Sequence, residues 1–449
     1  MTCIRQLRRN YKRVTAYPYV VGCKKDFFTE YSCLARFLHI LATIRIFSWF
    51  AISMPTLLVP RLPVLGWSAM RGGHASTLPA VLDIPNLVWT ASGRAAIAFA
   101  LREMGVGVGD RVLVPTYHCP TMVAPIVAAG AQPLFFPISD TGMPQLERIT
   151  GFDLQGVRCM IAAHYFGIPQ PMAAVRAFCD THKIMLIEDC AHAMFGKADG
   201  QAIGTWGDYA IASLTKFFPV LDGGCIVSAR HAIRNAPARS KSWRDELRNI
   251  INVLETAVRY KRLSGINAGL AALFLIKDAL RQRKSAVGEP KPSSSIAQPD
   301  IVKEGLADFE ANSVVWSKPF HGTRWLAMHS NRARMVELRR RNYRRLSEQL
   351  SDVAGARPLF PALSDDAAPY VFPLLVDSAE RDYQLLRASG VPVFRWDWRW
   401  PNTPDVPSDA GARWAMEVFQ IGCHQDLSLE DIDAIAETIK TLLRGEDIR

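Results

Sequence analysis

The sequence predicts an α/β protein with a mostly parallel central sheet, followed by a smaller C-terminal α+β unit. Three observations point there. From residue 87 to 189 short apolar runs alternate with helical patterns, the order that gives parallel strands joined by helices. Past residue 320 the pattern becomes a long amphipathic helix, a strand and a closing helix. Hydrophobic residues are 49% and charged residues 21% of the 449, an ordinary globular mix that excludes disordered, collagenous and coiled-coil classes.

The elements follow in order. ASGRAAIAFALREMG (91–105) opens with Ser-Gly, keeps Ala-rich helical spacing and stops at Gly105, so it predicts a helix. GDRVLVPTY (109–117) is a short strand ending at Pro115, TMVAPIVAAG (121–130) a helix and AQPLFFPI (131–138) a strand. VRCMIAAHYFG (157–167) predicts a buried strand and a Gly-containing loop, PMAAVRAFCDTH (171–182) a helix, and KIMLIED (183–189) a strand closed by two acids. In such sheets ligands sit beyond the carboxyl ends of the strands. Tyr117, His118, His164, Tyr165 and Asp189 therefore fall on the site side.

Four segments are expected: a basic, apolar extension (1–53), a large α/β domain (54–230), a basic helical insertion and linker (231–315) and a small C-terminal domain (316–449). The insertion holds LAALFLIKDAL (270–280) between Lys/Arg clusters and ends in GEPKPSSS (288–295). The seven arginines between 332 and 345 predict a solvated helix face.

The formal net charge is +11. Residues 1–53 hold nine basic and two acidic side chains, so most of the excess belongs to the extension. With no zinc-finger spacing and no RNP-type motif, nucleic acid is not an expected partner, and no metal site is expected. Nine cysteines, an odd number without a CxxC, read as reduced thiols in a cytoplasmic chain. FLHILATIRIFSWFAISMPTLLV (37–59) is apolar but interrupted by His39, Arg45 and Pro55. Three readings stay open: an interfacial helix with snorkelling arginines, which would make the protein membrane-peripheral; a spanning helix; or a natural start at Met54.

Three features bear chemistry. Ser92-Gly93-Arg94 opens a helix, whose free N–H groups and dipole suit a phosphate, though Ser-Gly is equally a plain cap. Glu188-Asp189 ends an apolar strand; a carboxylate there caps the next helix or holds a protonated pyridine nitrogen, with His192 one turn on. Ser213-Leu214-Thr215-Lys216 ends another apolar stretch before Asp222-Gly223-Gly224. A lysine in such a place is unusual, since Lys is rarely buried unpaired, and it is the residue type for imine chemistry once desolvated.

SGRAAIAFALREMGVGVGDRVLVPTY, AGAQPLFFPI, HYFGIP, IEDCAHA, GTWGDYAIASLTK and DGGCIV, in this order and spacing, resemble the DegT/StrS-like aminotransferases of nucleotide-sugar biosynthesis. The resemblance is close over about 85–230 and loose over about 330–445. It implies the fold type I architecture of pyridoxal-phosphate enzymes, with helices on both faces of the sheet. It implies pyridoxal 5'-phosphate as cofactor, an amino-acid donor (glutamate in the family), a keto-sugar acceptor, nucleotide-linked and destined for amino-sugar or polysaccharide synthesis, and a homodimer. Carried over residue by residue, Ser92, Gly93, Arg94 and Ser213 hold the phosphate, Asp189 the pyridine nitrogen, and His192 lies near the ring. Lys216 is the Schiff-base lysine; Lys216 and Asp189 are the catalytic pair. The chain between Asp208 and Lys216 is two residues shorter than the family pattern. The ring-stacking aromatic falls on Cys119, so Tyr117 or His118 is expected to take that role. The usual sugar-nucleotide segment is not recognisable; the insertion and WSKPFHGTRW (316–325) stand in its place, while VFRWDWRWP (393–401) and Cys423-His424-Gln425 resemble small-domain elements near the site. Two alternatives remain: a sugar dehydratase, which in the family carries His in place of the lysine, and a catalytically idle regulatory or membrane-associated relative.

Overall fold

The structure is a computed structural model that describes residues 57–69, 76–285, 301–310 and 313–443. The chain divides into two units, Met1–Pro55 and Thr56–Arg449, and the described residues all belong to the second. The extension (1–53) lies outside the described residues, as do the apolar run 37–59 up to residue 56 and the linker 288–295.

A seven-stranded sheet forms the centre. Its strands are β1 (Val88–Thr90), β2 (Arg111–Pro115), β3 (Gln132–Phe136), β4 (Val157–Ala163), β5 (Met185–Asp189), β6 (Tyr209–Ser213) and β7 (Gly224–Val227), in the order β1-β7-β6-β5-β4-β2-β3. Strands β2 to β6 pair in parallel, while β7 runs against both of its neighbours. Helices α1 (Gly93–Glu103), α2 (Pro120–Ala128) and α3 (Ala173–His182) join the strands where the alternation puts them.

Period-two burial explains why both faces are covered. Val112, Val114, Ile161, Ile187 and Ile211 join Ile97, Phe99 and Ala100 of α1 and Met122, Val123 and Ile126 of α2 in one core. Their neighbours Leu113, Met160, Leu186 and Ala210 point the other way, into a core with Val175, Phe178 and Cys179 of α3. A helix on each side is the doubly covered arrangement that a sheet of such apolar strands requires.

The insertion supplies helices α4 (Trp243–Arg259) and α5 (Asn267–Ser285). Among the described residues no helix is long and apolar enough to cross a membrane. The C-terminal part packs α6 (Arg332–Gln349) and α7 (Leu429–Leu443) on a second sheet of four antiparallel-paired strands between Ala356 and Gly422. Tyr343, Leu346, Phe372, Leu374, Ile432 and Ile435 are at its heart.

The arginine run departs from the solvated face expected of it. Arg332 and Arg339 are buried, and others pair with acids: Arg334 with Asp426, Arg340 and Arg344 with Asp365, and Arg345 with Asp433. Charge density alone does not show which helix positions face inward; α6 turns 332, 335, 336, 339, 342, 343 and 346 to the interior.

Candidate active site

The carboxyl ends of β4, β5 and β6 and the start of α1 surround a cavity of about 310 Å³. Ser92, Gly93, Arg94, Asp189, His192, Ser213 and Lys216 all line it. Tyr117 and His118 do not.

The α1 end of the cavity is made by close backbone approach. Ser92 is extended and caps the helix, its hydroxyl accepting from Ala95 N–H at 3.3 Å. Gly93 sits where a Cβ would reach 3.4 Å from the Ser213 Cβ. A Cβ on Gly224 would lie 2.4 Å from the Ser92 carbonyl carbon, and Gly223 has a φ of +105°. The Gly-Gly pair thus lets β7 close against the start of α1. The N-terminal N–H groups of α1 and the Ser213 hydroxyl meet there, an arrangement suited to an anion. Arg94 lines the same wall and is ion-paired with Asp308, from the insertion segment 231–315.

The two acids ending β5 take different parts. Glu188 is fully buried and its oxygens accept from Gly204, Trp206 and Gly207 N–H at 2.6–3.0 Å and bond His164 Nε2 at 2.9 Å. It holds a loop together. His164, Glu188 and Cys190 bring three ligand-type atoms within 4.8 Å of one another, but those backbone bonds already use the carboxylate. Asp189 accepts one backbone bond, from Ala191 at 2.8 Å, and faces the cavity. Burial raises its carboxyl above the usual range, while the charge of Lys216 pulls the other way.

Lys216 ends a short turn, Leu214–Lys216, after β6. Its Nζ lies 5.5 Å from the Tyr370 ring centroid and 6.0 Å from that of Trp396. Burial lowers its pKa, against the nearby Cys119 and Asp189; this is the condition that makes a lysine a nucleophile near neutral pH. His192 is held by Phe166 N–H on Nδ1 and lies 4.7 Å, centroid to centroid, from both Tyr370 and Trp396. Its buried Nε2 has no partner among the described residues, and burial pushes its pKa well down, with the charge of Lys216 adding to this.

Tyr117 and His118 turn away from the cavity into the packing beneath it. The Tyr117 hydroxyl accepts from Gln420 at 3.2 Å and its ring joins Tyr165, Trp396 and Trp414. His118 is fixed by Pro115 O on Nδ1 and Trp400 N–H on Nε2, and stacks on Phe135. Cys119, Tyr165 and Trp396 line the cavity in their stead. A residue count from Pro115 cannot show that the chain turns at Thr116 and sends the next two side chains inward. Trp396 lies in the aromatic stretch the sequence singled out. Thr215 and Asp222, also on the wall, carry no comparable signal.

A phosphate cradle, a buried carboxylate, an amine of lowered pKa and an orphaned imidazole nitrogen line one cavity. These residues fit pyridoxal phosphate: its anionic end, pyridine nitrogen and aldehyde each meet the required chemistry. Fold and site together define an α/β protein with one cavity whose lining has the donor set that pyridoxal phosphate requires.

Residues 76–240 match the DegT/DnrJ/EryC1/StrS aminotransferase family, the one the sequence resembles. The UDP-N-acetyl-3-dehydro-alpha-D-glucosamine 3-aminotransferase of Acidithiobacillus ferrooxidans is 32% identical over 149 residues, 32% of this chain and 40% of that protein. The GDP-perosamine synthase of Vibrio cholerae is 28% identical over 184 residues, 39% and 50% respectively. The chain thus matches half or less of the length of these relatives. The crystal structure of the sugar aminotransferase CalS13 from Micromonospora echinospora superposes with a TM-score of 0.54 at 17% identity, covering 86% of this chain and all of that one. That likeness concerns the fold.

Proposed function

We propose that this protein is a pyridoxal-phosphate-dependent aminotransferase that moves an amino group from an amino acid, glutamate by the family resemblance, to a keto-sugar, nucleotide-linked in the relatives. The observation behind the reading is the convergence of Ser92, Gly93, Ser213, Asp189 and Lys216 on one cavity. The relatives' names, a UDP-sugar aminotransferase among them, support the substrate class.

When bound, the cofactor supplies an electron sink for a carbanion at the amino-acid Cα. The chain's residues do the rest. Ser92, Gly93 and Ser213 would hold the phosphate, with Arg94, whose charge Asp308 meets, on the same wall. Asp189 keeps the pyridine nitrogen protonated; the positive partner restores the ionised carboxylate that burial alone disfavours. Lys216 would be the covalent anchor, and its free amine would carry the proton to and from the substrate as a general base and acid. His192, on the same cavity wall and with its pKa pushed down by burial, would lie near the ring without opposing its charge. Cys119, Tyr165 and Trp396 wall the ring position. A homodimer is the assembly the resemblance implies.

Lys216 argues against the dehydratase, and the intact cavity argues against an idle relative. The purified protein should be yellow, and borohydride should fix the cofactor to Lys216, as mass mapping would show. Incubation with glutamate and keto-sugar nucleotides should release 2-oxoglutarate. A colourless protein, or an adduct on another lysine, would remove the assignment.

A further inference from the structure

Lys216 and Phe217 leave the short turn after β6 with their carbonyls unclaimed by any helix, because the chain bends away at Pro219. Buried carbonyls need donors. Here they come from far along the sequence. Arg339, fully buried on α6, donates from Nη2 to Lys216 O at 2.9 Å. Gln425, in the loop before α7, donates from Nε2 to Phe217 O at 2.9 Å. The two side chains are joined, Arg339 Nε to Gln425 Oε1 at 2.7 Å. Arg339 Nη1 also donates to Pro369 O and Tyr370 O, at 3.0 and 3.3 Å, and the guanidinium lies 4.4 Å from the Phe217 ring centroid.

Among the described residues no carboxylate forms an ion pair with Arg339. Burying a cation in that state is costly, and an apolar side chain of similar volume is often as good for stability. What the arginine provides is directional: one planar group fixes three carbonyls and an amide at once. Tyr370, one of the carbonyls held, also puts its ring against Lys216 Nζ and His192.

We propose that Arg339 and Gln425 are positioning residues for Lys216: a clamp from the C-terminal part of the chain that fixes the backbone at 216–217 and so sets where the reactive amine sits. This rests on the reading of Lys216 as the covalent anchor. A misplacement of about 1 Å in such a group can cost about a hundredfold in rate, so the clamp should show in the chemistry and not only in the melting temperature.

The test uses the full chain with its cofactor and two variants, Gln425→Met, which keeps the volume and removes both bonds, and Arg339→Lys, which keeps the charge but not the fork. The first readout is the borohydride adduct at Lys216; the second is the pH midpoint of the cofactor's visible absorbance; the third is the rate at which excess glutamate bleaches that absorbance. The clamp predicts that Gln425→Met still forms the Lys216 adduct, that its midpoint shifts, and that bleaching slows by about tenfold or more. Arg339→Lys should shift the midpoint in the same sense; if it fails to fold, Gln425→Met decides alone. Unchanged midpoint and bleaching in a Gln425→Met protein that merely melts earlier would overturn the proposal, leaving the pair as packing. Absence of the adduct in the unaltered chain would instead sink the anchor reading, and the clamp with it.

Discussion

Gly224 lies so close to Ser92 that a Cβ on the glycine would fall 2.4 Å from the serine's carbonyl carbon. Nothing flexible stands in the way; the obstruction is backbone. Gly224→Ala must therefore push the start of β7 off the start of α1, opening the phosphate end of the site. The expected result is weakened cofactor retention, by about tenfold or more, since one lost charge-assisted bond is worth ~1.5–3 kcal/mol. Equilibrium dialysis of pyridoxal phosphate against variant and parent measures it. Equal retention would show that the contact is not part of the cradle.

Asp189→Asn keeps shape and removes charge. The carboxylate's bond to a protonated ring nitrogen is charge-assisted, worth ~1.5–3 kcal/mol. Turnover with glutamate should fall at least about tenfold, because ~1.4 kcal/mol is a factor of ten. The same substitution at Glu188 should act through stability instead, since that carboxylate receives three backbone N–H groups. Near-normal turnover of Asp189→Asn would take the residue out of the mechanism.

Acid should destabilise the fold through His118. Burial lowers its pKa from 6.5 to about 4, with the Pro115 carbonyl opposing. Below pH 6.5 the unfolded chain takes up a proton that the folded imidazole, accepting from Trp400 N–H, refuses. The contribution is thus whole above about pH 6.5 and is lost as pH falls toward 4, on the order of 3 kcal/mol in all. Urea midpoints measured from pH 7.5 down to 4.5 should fall, and less steeply in His118→Gln. Parallel slopes for the two proteins would assign the acid sensitivity elsewhere.

Helix α5 leaves Leu273, Leu275 and Ile276 exposed, at 61%, 70% and 58%. Between residues 239 and 285 eleven side chains are basic and four acidic. An apolar helix amid Lys and Arg suits an anionic lipid surface, where each basic residue adds ~1 kcal/mol. The full chain should co-sediment with phosphatidylserine vesicles, less so as salt rises, and Leu273→Glu with Ile276→Glu should weaken this. If the pair changes only the oligomeric state, the face is a subunit contact.

How much of this was readable beforehand follows from what a linear pattern encodes. The strands from Arg111 to Asp189 were legible because burial on both faces makes each a continuous apolar run bounded by turn residues. Lys216 was legible as a residue type out of place at a strand end, while Ser92, Asp189 and Ser213 took their roles from the family resemblance; all four line one cavity. Tyr117 and His118 were misplaced because which way a side chain points after a strand depends on one dihedral at the turn. Arg339 was hidden among six other arginines; its role arises only when α6 crosses the turn after β6, a relation between residues 123 positions apart. Trp396 reaches the cavity across a still longer separation.

The edge strand β1 reaches the sheet only through β7, with Thr90 opposite Gly224. All five strands β2 to β6 lie between the two in sequence, so the pairing closes a long loop. Closing so long a loop is slow and comes late in folding. The anion cradle is the corner this pairing completes, so a chain that lacks the pairing lacks the cradle. If pyridoxal phosphate is the ligand, its phosphate end would be gripped only where β1 and β7 have met, so cofactor retention would report on that pairing.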